Sequence, residues 1–163
     1  MQIEKPVKVQ SLSMKATAAK MIDISSKPTI RREAIAEGTI VLKKTTIDLI
    51  QKGRIEKGDP LQIASVGAIQ AAKATPSSLM LCHPIPLHAV SVSFSTKADS
   101  ITATVTVLAE SKTGVEMEAL NSVASALLNI WDVVKKYEKD SRGQYPGARI
   151  DNIHVVRKTK GVA

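Results

Sequence analysis

In the run IWDVVKK, Asp132 and Lys135 stand three residues apart, which on a helix puts a carboxylate and an ammonium on one face. Such a pair can be a solvated ion pair worth a few tenths of a kcal/mol. It can also be an acid/base pair, in which the carboxylate positions the ammonium and tunes its proton affinity. Spacing alone favours the surface pair. Two further cations sit at structural edges. Lys57 immediately precedes the GDP start of a helix, and Arg32 shares one strand face with Ala34, Ala36 and Gly38. An arginine beside such small residues is out of place in a dry core, but its planar fork suits a phosphate. Lys73, at the end of the same helix that Lys57 precedes, is accounted for by compensation of the helix dipole.

A second group surrounds the only cysteine, in SSLMLCHPIPLHAV. Cys82 and His83 are adjacent, so on an extended segment they point to opposite sides, which counts against a thiol nucleophile with its base. The three histidines, His83, His88 and His154, are scattered and form no zinc-type spacing. A buried thiol beside a surface histidine is the plain reading. The alternative is a loop stiffened by Pro84 and Pro86 that holds a histidine in a fixed place.

A third group is KTGVEMEA. Thr113 and Glu116 have the spacing of a capping box, which gives Glu116 a structural role. Glu118 lies outside that box. Two carboxylates at a helix start would repel a phosphate and better suit hydrogen-bond donors, such as the N1–H and 2-amino group of a guanine-like ring.

Composition narrows the partners. The chain has 163 residues with 44% hydrophobic and 23% charged, as in a soluble globular protein, and no apolar run long enough to span a membrane. A net charge of +8 attracts polyanions, but aromatics are only 2%. Single-strand binders need aromatic platforms, so a small anionic ligand is favoured over nucleic acid. One cysteine excludes an internal disulfide and fits a reducing cytoplasm. Residues 1–20 lack a secretory apolar segment and read as a basic, mobile arm, leaving 21–163 as one domain.

These groups need elements to hold them. Alternation predicts a strand over Thr29–Leu42, and TTIDLIQKG a short helix closed by Gly53. Asp59 and Pro60 start a second helix. VSVSF and ITATVTV form a hairpin with one dry face. A long helix runs from KTGVEMEAL to near Asp140, and RIDNIHVVRK is the last strand, with Ile153 and Val155 on one face. The order predicts an α+β fold, the ferredoxin-like split β-α-β arrangement: an antiparallel sheet with helices on one face.

The segments MIDISSKPTIRREAIAEG, KGDPLQIASVGAIQAAK, LCHPIPL and KTGVEMEALNSVASALLNIWDVVKK together resemble molybdenum cofactor biosynthesis protein C, the cyclic pyranopterin monophosphate synthase family. The resemblance covers about Met21 to Asp140. It implies a ferredoxin-like hexamer, a trimer of dimers with each site at a subunit boundary. It also implies a lyase that rearranges 3′,8-cyclo-7,8-dihydro-GTP, made by a radical SAM enzyme, to cyclic pyranopterin monophosphate with release of pyrophosphate. By position, Asp132, Lys135 and Lys57 match catalytic residues. Leu81, Cys82, His83, Met117 and Glu118 match substrate contacts, joined by Glu116. Arg32 and Lys73 match positions near the triphosphate. The implied chemistry is acid/base, by lysines depressed toward neutrality, with no redox cofactor and no dedicated metal site; magnesium can accompany the triphosphate. Neither nucleic acid nor membrane is an implied partner. The tail VVRKTKGVA, the loop SRGQYPGAR and Lys20 depart from the family pattern, with Lys158 and Lys160 standing where a lysine-containing glycine-rich tail is usual.

Two other readings compete. A nucleotide- or RNA-binding module of the same fold is supported by the basic charge and opposed by the scarcity of aromatics. A structural hexamer without activity is opposed by the presence of Lys57, His83, Asp132 and Lys135.

Overall fold

Residues 18–161 are described by the structure, a computed structural model. The strands are β1 (Ile30–Val41), β2 (Ala89–Thr96), β3 (Ser100–Ser111) and β4 (Arg149–Lys160). They form one four-stranded sheet in the order β2-β3-β1-β4, with every pairing antiparallel. The helices are α1 (Lys44–Gln51), α2 (Pro60–Lys73), the one-turn α3 (Thr75–Ser78) and α4 (Glu116–Glu138). The strand order and connections are those of the expected ferredoxin-like α+β fold. The stretch read as an arm lies outside the described residues except for its last three.

Small residues on the inner sheet face bring α4 close. Ala34, Ala36 and Ile40 of β1 and Ile101, Ala103, Val105, Val107 and Ala109 of β3 are fully buried, as are Val123, Ala126, Leu127, Ile130 and Val134 of α4. A Cβ added to Gly38 would come within 2.9 Å of side-chain atoms of Ile153, Leu127 and Val123. The glycine is therefore what allows the helix to seat against mid-strand. The opposite face is hydroxyl-rich, with Thr39 and Thr102 bonded at 2.9 Å.

Local chemistry fixes the other elements. Gly53, at φ 62°, ends α1: its N–H bonds Ile50 O, and Arg54 N–H bonds Leu49 O, the paired bonds of a Schellman stop. The Asp59 side chain accepts from Leu61 N–H at 2.8 Å and caps α2 as expected. A device not foreseen in the sequence joins α1 to the end of α4. The buried Glu138 carboxylate accepts from Lys43 N–H and the Thr46 hydroxyl, while Lys43 Nζ donates to the Tyr137 and Lys139 carbonyls. Each helix end thus caps the other.

Two expectations are corrected. The capping box does not form: Val115 occupies the N-cap without a side-chain bond, so α4 begins at Glu116 and Thr113 lies too far back to cap it. The Glu116 carboxylate instead folds over Gly114, which has no side chain to obstruct it. β4, in turn, does not simply alternate. Its register against β1 shifts between Ile35 and Ala36 and between Glu37 and Thr39, and Asn152 has φ 55°. Ile153 and Val155 do share a face, but the two irregularities also carry Ile150, Lys158 and Lys160 to that inner side, opposite Ile40, Ala34 and Arg32. Among the described residues no helix is long and apolar enough to cross a membrane.

Candidate active site

The strongest juxtaposition lies near the C-terminal end of α4. Asp132 holds two ammoniums at once: Lys135 Nζ lies 2.6 Å from Oδ1, and Lys57 Nζ lies 2.7 Å from Oδ2. Lys57 Nζ also donates to the Asp132 carbonyl at 3.1 Å. Lys135 is placed by helix spacing, whereas Lys57 arrives from the α1–α2 connection. All three side chains remain about half exposed, so the group is open to a ligand.

The charges act on one another. Bonding first to Lys135 and then to Lys57 holds the Asp132 carboxyl down at about 2. Asp132 in turn raises Lys135 above the ordinary lysine value. This corrects the expectation of a lysine depressed toward neutrality: in the single chain the neighbouring anion wins, and burial contributes only a smaller, opposing effect. Beside the cluster, Trp131 packs on Tyr145 with ring centres 5.8 Å apart. Together with Leu128, Ala148, Arg149 and Ile150, Trp131, Asp132 and Lys135 line a cavity of about 560 Å³. The SRGQYPGAR loop thereby packs Tyr145 against the Trp131 wall of the cavity and lends Ala148 to its lining.

A second group gathers at the N-terminal end of α4. Arg32 is half-buried and donates to the Ser111 and Lys112 carbonyls, each at 3.3 Å. Lys158 Nζ pairs with Glu116 at 2.8 Å. These residues, with Lys27, Glu33, Lys112, Thr113, Gly114, Thr159 and Lys160, line a cavity of about 390 Å³ in which cations outnumber carboxylates. Lys112 was not a predicted site residue, and Lys158 was named only for standing where a lysine-containing tail is usual. The β4 shifts that turn Lys158 inward leave no mark in the sequence, and Lys112 opens the KTGVEMEA run, in which the carboxylates and the threonine drew the reading.

Glu118 sits deeper, 2% exposed, and its Oε2 has no hydrogen-bond partner. Burial chiefly, and then Glu116, push its carboxyl upward. Cys82 is close enough to feel the Glu118 charge; burial first, and then Glu118, raise its thiol and keep it protonated. A protonated thiol is a poor nucleophile. The MIDIS segment is tied to the same end by Lys112, whose Nζ donates to the Ser25 carbonyl at 2.6 Å. Leu81 and Met117 are exposed there at 53% and 42%. Lys73 is exposed at the end of α2 and lines neither cavity. No group of three or more His, Cys, Asp or Glu side chains among the described residues is placed to hold a metal ion.

The two groups do not meet within one chain. Glu116 and Asp132 lie on the same unbroken helix, roughly 24 Å apart along its axis at about 1.5 Å per residue.

Comparison with known proteins bears on both groups. The MoaC family profile matches residues 21–161. A protein of Sulfolobus acidocaldarius named "Probable cyclic pyranopterin monophosphate synthase" is 54% identical over 140 residues, covering 86% of this chain and 98% of that one. A protein of the same name from Sulfurisphaera tokodaii is 50% identical, covering 88% and 95%. A protein from Methanothermobacter thermautotrophicus, 52% identical and covering 86% and 89%, is named "Probable cyclic pyranopterin monophosphate synthase accessory protein".

Proposed function

The chain belongs to the MoaC family, and from that premise we propose that it is a cyclic pyranopterin monophosphate synthase of molybdenum cofactor biosynthesis. It is a lyase that converts 3′,8-cyclo-7,8-dihydro-GTP to cyclic pyranopterin monophosphate and pyrophosphate. The observation that carries the chemistry is the Asp132 carboxylate bridging Lys57 and Lys135, two cations from separate elements aimed at one spot.

Rearranging a purine-derived ring takes repeated proton transfers. With its carboxyl held at about 2, Asp132 stays anionic and anchors both ammoniums. Lys135, raised in affinity, keeps its proton at neutral pH and is suited to stabilise developing negative charge. Closing the cyclic phosphate breaks a P–O bond and releases pyrophosphate, a step that positive charge favours. The basic cleft of Arg32, Lys112 and Lys158 suits the triphosphate, and a magnesium ion there would come with the phosphates as part of the substrate. Glu118, buried and with Oε2 unpartnered, suits the donors of the guanine-derived ring, beside the Leu81–His83 loop and Met117.

The axial separation along α4 supports a site composed from two copies, one presenting the Asp132 cluster and its neighbour the basic cleft. The exposed Met80, Leu81 and Met117 at the cleft end are consistent with such a boundary. A hexamer, as a trimer of dimers, is the assembly this implies. Cytoplasmic placement rests on the single cysteine alone.

The test is to supply purified protein with the cyclic dihydro-GTP and follow pyrophosphate and the fluorescent oxidised pterin. Formation of both supports the synthase. Absence of both, with tight and salt-sensitive RNA binding, would instead support the binding module.

A further inference from the structure

Lys135 needs no special device to reach Asp132, because three residues of helix separate them. Lys57 does. It sits on the α1–α2 connection, and its long, rotamer-rich stem reaches Asp132 only if that connection is docked correctly on α4.

The turn that carries Lys57 spans Ile55–Gly58. It is closed by a bond of 3.1 Å from Gly58 N–H to Ile55 O, with Gly58 at φ 102°. Its first residue is buried, Ile55 being 7% exposed. The second, Glu56, is gripped from α4 at two points. The Tyr137 hydroxyl accepts the Glu56 N–H at 3.1 Å, and the Lys136 ammonium pairs with the Glu56 carboxylate. Lys136 Nζ also stands 5.0 Å from the centre of the Tyr137 ring, and that ring packs on the core. Lys57 follows immediately. One short stretch of α4 therefore presents Asp132 and Lys135 and also holds the backbone on which Lys57 depends.

We propose that Tyr137 is a positioning residue for Lys57, its hydroxyl pinning the Ile55–Gly58 turn so that the Lys57 ammonium meets Asp132. The inference rests on the catalytic reading of Lys57 and Asp132. The Glu56 N–H is at an exposed position where water can replace the hydroxyl, so its loss changes the placement of the turn more than the stability of the fold.

The decisive variant is Tyr137→Phe, which keeps the ring and its packing and removes one oxygen. We expect kcat to fall about three- to tenfold, the scale of one net hydrogen bond, with KM within about twofold and the melting temperature nearly unchanged. We expect the Asp132 carboxyl, followed by carbon NMR, to titrate above its wild-type midpoint of about 2, because one of its two bonded cations is less well held. Lys57 and Lys135 are its bonded cations, and Arg149 lines the same cavity. The combined Tyr137→Phe, Lys57→Ala variant should be no slower than Lys57→Ala alone, since Tyr137 acts through Lys57. Wild-type kcat and an unmoved Asp132 midpoint in Tyr137→Phe would overturn the proposal, as would a loss that adds in full to that of Lys57→Ala. Should the wild type form no product, the synthase reading fails on its own, and the Asp132 midpoint alone then decides whether Tyr137 places Lys57.

Discussion

At the residue scale, Asp132 is the pivot. Its two oxygens are divided between two lysines, and neutralising it should release both. Asp132→Asn is expected to slow turnover by at least about a hundredfold, read as kcat with pyrophosphate release as the signal. It also removes the main group raising Lys135, so the alkaline limb of the rate profile should move to lower pH in any residual activity. The acid side has the opposite sign. A lowered carboxyl contributes stability above its ordinary value of 3.8 and loses it as pH falls through about 2. Protonation of Asp132 therefore should not cause any loss of activity seen at about pH 5.

Glu118 gives a contrasting prediction at the same scale. Its carboxyl is raised, so the stability it contributes is present below the ordinary 4.5 and is lost as pH rises through the raised value. Glu118→Gln removes that loss. The variant should gain in denaturation midpoint over the wild type as pH rises from about 4 to about 8, while its KM rises as a charged acceptor is exchanged for an amide. A wild-type midpoint difference that stays flat with pH would show that Glu118 is already ionised without cost.

At the scale of elements, two packing devices can be tested by stability. Gly38→Ala would drive a Cβ into Ile153, Leu127 and Val123, and should destabilise by about 1–3 kcal/mol in chemical denaturation. Glu138→Ala removes the buried partner of Lys43 N–H and Thr46, and should cost about 2–3 kcal/mol by the same measurement. The first device was legible beforehand: Ala34, Ala36 and Gly38 on one parity already called for close packing. The second was not, because Lys43 and Glu138 are brought together only by the tertiary fold and no local pattern marks a carboxylate that caps a distant helix. The same distinction runs through the other elements. The Asp59 cap and the Gly53 stop act within a few residues and were read directly. The start of α4 was misplaced because Thr113 and Glu116 have the right spacing but Val115 takes the cap. The β4 irregularities escaped because they arise from pairing with β1 across the sheet, and with them escaped the inward turn of Lys158.

At the scale of the whole molecule, the sequence names candidate residues one by one, but it does not show which of them the fold brings together. The chain separates them into an Asp132 cluster and a basic cleft at opposite ends of α4, and the proposed remedy is a second copy. Complementation reads this directly. Asp132→Asn and Arg32→Ala are each expected to be severely impaired alone. Refolded together at equal amounts, they should recover about a quarter of wild-type turnover, because random pairing across a two-chain boundary rebuilds that share of intact sites. No recovery from mixed oligomers would place both groups in one chain's site.

The most direct measurement of the central claim follows pyrophosphate released from the cyclic dihydro-GTP by the wild type and by Asp132→Ala, matched in fold and oligomeric state. The account predicts pyrophosphate and pterin product together from the wild type and almost none from the variant. Equal rates from the two proteins would contradict it.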